Sequence, residues 1–272
     1  MNKYSDVIDI HKGIDTMEGG GVYIRRYIGY KPNYFDPFLL LDEIKNDKPE
    51  EYQKGFPIHP HAGFEVITYL VSGKIVHSDS TGSRSEISSG DIQFMNTGSG
   101  VVHSEMPIAT NNKLLWGFQL WINIPSNLRE SEPYYKNYHQ ITLRENDIEV
   151  NIIAGKYGNI SQNNYSKQLS KYISVRSLGK STFNIDINEE HNGFIVVSEG
   201  RIDVNGSDVG EGMIALLNTG KVEVLMEPDT FILFVEGRML KEQFVRYGPF
   251  VMDDEEGVLK AIRNYRRISQ QL

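Results

Sequence analysis

The sequence predicts an all-β protein made of two similar strand modules, with one short helix at the C-terminal end. Three observations carry that expectation. Short runs rich in β-branched and aromatic residues recur along the chain, each bounded by turn residues. The two halves repeat the same turn signals in the same order. Apolar residues at one-face helical spacing are scarce until the C-terminus.

In chain order, residues 64–71 (Phe-Glu-Val-Ile-Thr-Tyr-Leu-Val) read as a strand that stops at Ser72-Gly73. Residues 92–95 lie between Gly90-Asp91 and Thr97-Gly98, and further runs follow at 115–124, 150–154, 194–197, 213–217, 222–226 and 231–235. Their spacing is that of an antiparallel sandwich or barrel. The first half reads Ser72-Gly73-Lys74-Ile75 and later Gly90-Asp91, ending in Asn96-Thr97-Gly98. The second reads Glu199-Gly200-Arg201-Ile202 and later Gly212-Met213, ending in Asn218-Thr219-Gly220. Two β modules follow, with 125–140 as the connection: one over 1–138 and a second over 139–272 that includes the helix. In that helix Asp253-Asp254-Glu255-Glu256 precede Val258, Leu259, Ile262 and Tyr265, and Arg263, Arg266 and Arg267 lie at the far end, an order that suits the helix dipole. It reads as a structural helix packed on a barrel, its acidic start a solvated one.

Composition narrows the function. The 272 residues carry 28 Lys+Arg against 36 Asp+Glu, a net charge of −8, which leaves no basic field for direct nucleic-acid binding. Runs such as 38–41 and 231–235 are far shorter than the roughly 20 apolar residues of a membrane span. The polar start, Met1 to Asp6, lacks the apolar core of a secretory signal, so a soluble, cytoplasmic protein is expected. The sequence contains no cysteine, which excludes disulfides, iron–sulfur clusters, thiolate zinc sites and cysteine nucleophiles.

Of the seven histidines, three sit in patterns with chemical meaning. His59-Pro60-His61 is a His-x-His pair, and His103-Ser104-Glu105 is a His-x-Glu pair. On a strand, residues i and i+2 face the same way about 6.6 Å apart, so each pair can present two ligands on one face. Imidazoles with a carboxylate and open positions suit a transition metal such as non-haem iron(II). Ordinary turn or strand residues are the alternative. Glu65, four residues beyond His61, competes with Glu105 as the carboxylate, because His59-x-His61-x3-Glu65 followed by Gly73 resembles the first motif of the cupin superfamily. Gly90, Asn96-Thr97-Gly98 and His103 approximate the second cupin motif, with Asn96 in place of the usual proline and the histidine two residues late.

A more specific resemblance runs the length of the chain. Phe56-Pro57-Ile58-His59-Pro60-His61-Ala62-Gly63-Phe64-Glu65, then Gly90-Asp91-Ile92-Gln93-Phe94-Met95, then Gly100-Val101-Val102-His103-Ser104-Glu105-Met106-Pro107 resemble the hallmark segments of the pirin family. Asp36 to Asp42, Gln119 to Pro125, Ile153-Ala154-Gly155 and Arg246 to Met252 match in order. The resemblance implies a bicupin, two tandem antiparallel jelly-roll barrels, whose N-terminal barrel holds one divalent metal, usually iron(II), on His59, His61, His103 and Glu105. Glu65 then lies outside the metal's ligands. The second module supplies no such set: His191 has no partner histidine, and no His-x-Glu follows Asn218-Thr219-Gly220. His77 reads either as a barrel-lining residue supporting a ligand or as a surface strand residue. No function is assigned to His11 or His139, and Trp116 and Trp121 read as core.

The reaction implied by the resemblance is flavonol ring cleavage by a quercetin 2,3-dioxygenase, with a flavonol and O2 as substrates, carbon monoxide released and Glu105 as proton acceptor. Phe56, Phe64, Phe94 and Met106 are candidates to hold the flat substrate, each with barrel packing as its other reading. The alternative that the resemblance also implies is a different class of role, a non-enzymatic iron-dependent regulatory module that binds a protein partner.

Overall fold

The computed structural model describes residues 4–30, 35–80 and 82–270, so Met1, Asn2 and Lys3 of the polar start lie outside the described residues. Strands dominate, as predicted, and the main helix is the C-terminal one, Glu255–Ser269. The chain divides into two compact units: one of 1–14, 27–37 and 140–239, the other of 15–26, 38–139 and 240–272. Each is described separately.

The unit built on 38–139 pairs two sheets. In one, Tyr134–His139, Asp91–Asn96, Phe64–Ser72, Leu115–Asn123 and Phe38–Asn46 lie side by side. In the other the order is Phe56–His61, Val101–Pro107, Lys74–Asp79, Arg84–Ser88. All the pairings in this smaller sheet are antiparallel. Two-residue alternation decides what each strand turns inward: Val101, His103, Glu105 and Pro107 are buried while Met106 is exposed, and Ile75 and His77 are buried on their strand. Phe56–His61 occupies an edge, the place where Pro57 and Pro60 can lack a ladder donor without cost. Leu39, Leu40, Phe64, Val66, Met95, Val101, Trp121 and Val251 form a buried cluster within this unit.

The other unit repeats the arrangement. Val7–Lys12, Met213–Leu217, His191–Glu199, Phe231–Arg238, Leu169–Ser177, Ile148–Tyr157 and Ile141–Glu145 form its larger sheet. Ser181–Ile187, Gly220–Met226, Arg201–Val204 and Ser207–Gly210 form the smaller. Its core includes Phe183, Ile195, Val197, Ile202, Val224 and Phe234.

The grouping into compact units crosses the expected division at residue 138 at both ends of the chain. Val7–Lys12 pairs antiparallel with Met213–Leu217 and so belongs to the C-terminal module. It covers a strand edge that would otherwise expose unpaired backbone groups. Leu240 to Leu272 groups with the compact unit that contains 38–139. The helix buries Val258 and Ala261 in a cluster with Ala62, Phe250 and Met252, and Asp254 caps it by accepting from the Gly257 N–H at 2.7 Å. Leu259, expected on the packed face, is 55% exposed.

Candidate metal centre

The smaller sheet of the N-terminal module sets the register of the site. His103 sits opposite His59 on one neighbouring strand and opposite Asp79 on the other. Glu105 sits opposite His77, and Val101 opposite His61. The i, i+2 pairs His59/His61, His103/Glu105 and His77/Asp79 therefore share one face. The end of the His59-Pro60-His61 strand is held by the segment 249–251: the Ala62 N–H donates to the Pro249 carbonyl at 3.1 Å and the Val251 N–H to the Ala62 carbonyl at 2.9 Å. Gly63 makes that approach possible. Its φ is +87°, and a Cβ there would meet the Val251 oxygen at 1.7 Å.

His59, His61 and His103 converge, with one ligand nitrogen from each lying within 4.8 Å of the others. Ring centroids are 4.8 Å apart for His59–His61, 4.3 Å for His59–His103 and 4.8 Å for His61–His103. His61 and His103 are buried and His59 is half-buried. Both nitrogens of His61 and Nε2 of His103 are buried with no hydrogen-bond partner among the described residues. Burial, with neighbouring histidines adding to it, pushes the pKa of both well below the usual imidazole value, so each is neutral near pH 7. His59 is pinned by Nδ1, which donates to the Pro57 carbonyl at 2.7 Å; this places the lone pair on Nε2.

Glu105, also buried, groups with His103 and His77 rather than with all three of the other histidines. Its Oε2 accepts from the Gln119 amide at 3.0 Å, and the Gln119 carbonyl oxygen accepts from Trp121 Nε1–H at 3.0 Å. Thr68 Oγ1 is 3.5 Å from Oε1. Glu65 lies on the facing sheet opposite Asn96 and Ile122, apart from either cluster of metal-ligating groups among the described residues.

Neutral imidazoles with buried, unused lone pairs beside a carboxylate fit a divalent transition metal, since leaving such atoms unsatisfied costs free energy that a cation returns. A cavity of about 360 Å³ adjoins them, lined by His59, His61, Glu105, Gln119, Trp121 and Arg246 among others. Of the four side chains considered for a flat substrate, Phe56 lines this cavity, Phe64 and Phe94 are fully buried core, and Met106 faces elsewhere. Trp121 belongs to the buried core cluster, as read, and one face of it also walls the cavity, with the Arg246 guanidinium 5.3 Å from its ring centre. Trp116 is core, its indole N–H bonded to Glu43.

Sequence reading left Gln119 and Arg246 without a function, because nothing in their local pattern sets them apart. His77 is 1% exposed, which removes the surface reading. Its spacing to Asp79 was the available signal, the same i, i+2 rule that singled out the other pairs. In the C-terminal module His191 Nδ1 lies 2.7 Å from Glu236, a fully buried carboxylate that also accepts from Asn188 and Lys171.

Comparison with known proteins agrees with this architecture. A family model for pirin matches residues 21–122, and one for the pirin C-terminal cupin domain matches 172–270. A pirin-like protein of Caulobacter vibrioides is 35% identical over 269 residues, covering 96% of this chain and 97% of that one. A Pseudomonas aeruginosa protein named "putative quercetin 2,3-dioxygenase" is 31% identical, covering 98% of each chain. The crystal structure of a quercetin 2,3-dioxygenase from Acinetobacter baumannii superposes with a TM-score of 0.88 at 27% identity, over 97% of this chain and 98% of that one. With two cupin modules in order, histidines converging in the first, and relatives aligned along nearly the whole length, the chain belongs to the pirin family.

Proposed function

We propose that the protein is a metal-dependent dioxygenase of the quercetin 2,3-dioxygenase type, cleaving a flavonol ring with O2 and releasing carbon monoxide. In this reading His59, His61, His103 and Glu105 hold one divalent transition metal, iron(II). The observation that carries it is the convergence of three imidazoles, two of them buried with unused nitrogens, on a cavity that Glu105 also lines. Relatives named as quercetin dioxygenases supply the substrate class.

A bound metal supplies Lewis-acid and redox chemistry for oxygen activation. The protein does the rest. Glu105 accepts the proton of the flavonol 3-hydroxyl, and the Gln119 amide on Oε2 fixes the direction in which the carboxylate presents itself. Leu40, Phe56, Pro57 and Trp121 give the cavity apolar walls suited to a flat aromatic ligand, while Arg26, Asp42 and Arg246 offer polar groups to its hydroxyls. Arg26 is itself neutralised by a two-pronged contact with Asp42 at 2.8 and 2.7 Å.

The test is protein reconstituted anaerobically with iron(II), then given quercetin and oxygen beside His61→Ala treated identically. Quercetin loss with stoichiometric carbon monoxide in the wild type, and none in the variant, is expected. Inactivity of both, with stoichiometric iron retained only by the wild type, would reject the reaction and keep the metal site; the regulatory, protein-binding role would then be the reading to pursue.

A further inference from the structure

His77 and Asp79 are buried and lie outside the ligand set proposed above. Their side chains are 1% and 2% exposed, and the His77 ring packs 5.2 Å from that of Tyr135. Asp79 Oδ2 lies 3.2 Å from His77 Nε2, while Oδ1 faces the Ser83 N–H at 3.4 Å. On its other side His77 Nδ1 lies 3.3 Å from His103 Nδ1. The three side chains form a chain from carboxylate to imidazole to imidazole that ends at the candidate metal ligand His103.

Hydrogen-bond logic orients every member. An ionised carboxylate only accepts, so His77 carries its proton on Nε2 and, when neutral, has a lone pair on Nδ1. Two bare nitrogens 3.3 Å apart would repel, so His103 must place its own proton on Nδ1 and donate to His77. That leaves Nε2 of His103 as the lone pair, and Nε2 is the buried ring atom with no hydrogen-bond partner among the described residues. The opposite tautomer would bury an N–H there without an acceptor. We propose that Asp79 and His77 are positioning residues: they lock His103 in the Nδ1–H tautomer and aim its Nε2 lone pair at the metal. A metal-bound histidine commonly has such a partner behind it, and losing the partner lowers metal affinity about 10- to 100-fold. The inference rests on the metal site proposed above, but its first readout needs no metal.

Asp79→Asn is the sharpest test because it reverses the relay while keeping shape. An amide can donate to His77 Nε2, which moves the His77 proton to Nδ1 and turns His103 Nδ1 into an acceptor. The imidazole nitrogen shifts of His103 in ¹⁵N-histidine-labelled, metal-free protein report the tautomer directly. A protonated Nδ1 with bare Nε2 is expected in the wild type, and the reverse in Asp79→Asn. Cobalt(II) affinity, measured by competition with a chelator, should fall about 10- to 100-fold in Asp79→Asn and His77→Leu. It should be largely rescued in His77→Gln, whose side-chain carbonyl still accepts from His103. Near-UV circular dichroism of the metal-free variants checks that the fold is kept; should Asp79→Asn fail it, His77→Gln against His77→Leu carries the comparison. A wild-type His103 protonated at Nε2, or cobalt affinities unchanged across the folded variants, would overturn the proposal. If the wild type binds cobalt but never cleaves quercetin, the proposed reaction falls and the relay is still decided by the tautomer.

Discussion

His61 is 3% exposed and carries two ring nitrogens without a hydrogen-bond partner among the described residues. Together with His103 it makes the metal-free protein sensitive to acid. Both residues have folded-state pKa values well below 6.5, so above that pH they are neutral in the folded and the unfolded chain alike and add no pH dependence. As the pH falls through 6.5 the unfolded chain takes up protons that the folded one refuses, and stability drops by up to about 1.4 kcal/mol per pH unit for each histidine. Urea unfolding of metal-free protein should therefore give a clearly lower midpoint at pH 5.5 than at pH 7.5, and His61→Leu should flatten the difference. An equal midpoint at both pH values would contradict the neutral, buried state. Glu105→Gln tests the proposed proton acceptor at the same scale. The variant keeps an oxygen for the Gln119 amide but loses the carboxylate that is both a proposed ligand and the proposed proton acceptor, so quercetin turnover per bound metal should fall about 10²- to 10⁴-fold, with metal content measured on the same preparation. Near-wild-type turnover would remove Glu105 as the base.

At the scale of elements, the site depends on strands of the smaller sheet being held in register and on the turn after His61. Gly63 adopts φ +87° with Val251 O in the space a side chain would need. Arg129, 1% exposed, ties this turn together: its Nη1 donates to the carbonyls of Gly63 at 3.1 Å and Val251 at 3.3 Å, and its Nε to Asp253 at 2.8 Å. Gly63→Ala should thus cost several kcal/mol, on the order of the strain of a left-handed backbone plus a displaced contact, and weaken metal uptake through His61. Thermal unfolding and a metal titration of the same preparation check both effects; a change in melting temperature without a change in metal affinity would show that the turn supports the fold alone.

Across the whole molecule, the chain's two ends are exchanged between the modules. Residues 240–272 complete the unit that carries the histidines, adding Val251 to its core cluster and covering Ala62 with Phe250 and Met252. A chain ending at Met239 should therefore lose metal binding and the near-ultraviolet dichroism of Trp121, although every proposed ligand remains in it. Retention of full metal affinity by that truncation would show the closing segment to be dispensable.

The fold class, the pairing of modules and the His-x-His and His-x-Glu pairs were legible in the sequence because each rests on short-range order, whereas the choice of Glu105 over Glu65 came from the resemblance to the pirin family. Two-residue alternation puts His59 with His61 and His103 with Glu105 on one face, and repeated Gly-x-Ile and Asn-Thr-Gly signals mark the modules. Only tertiary structure decided which pairs meet, that Glu105 sides with His77, and that Gln119, Trp121 and Arg246 wall the cavity. These depend on strand order and register across sheets, which join residues far apart in the chain. For the same reason Val7–Lys12 and residues 240–272 could not be assigned from sequence: an edge strand or an amphipathic helix has one face to bury, and its local pattern does not say against which module.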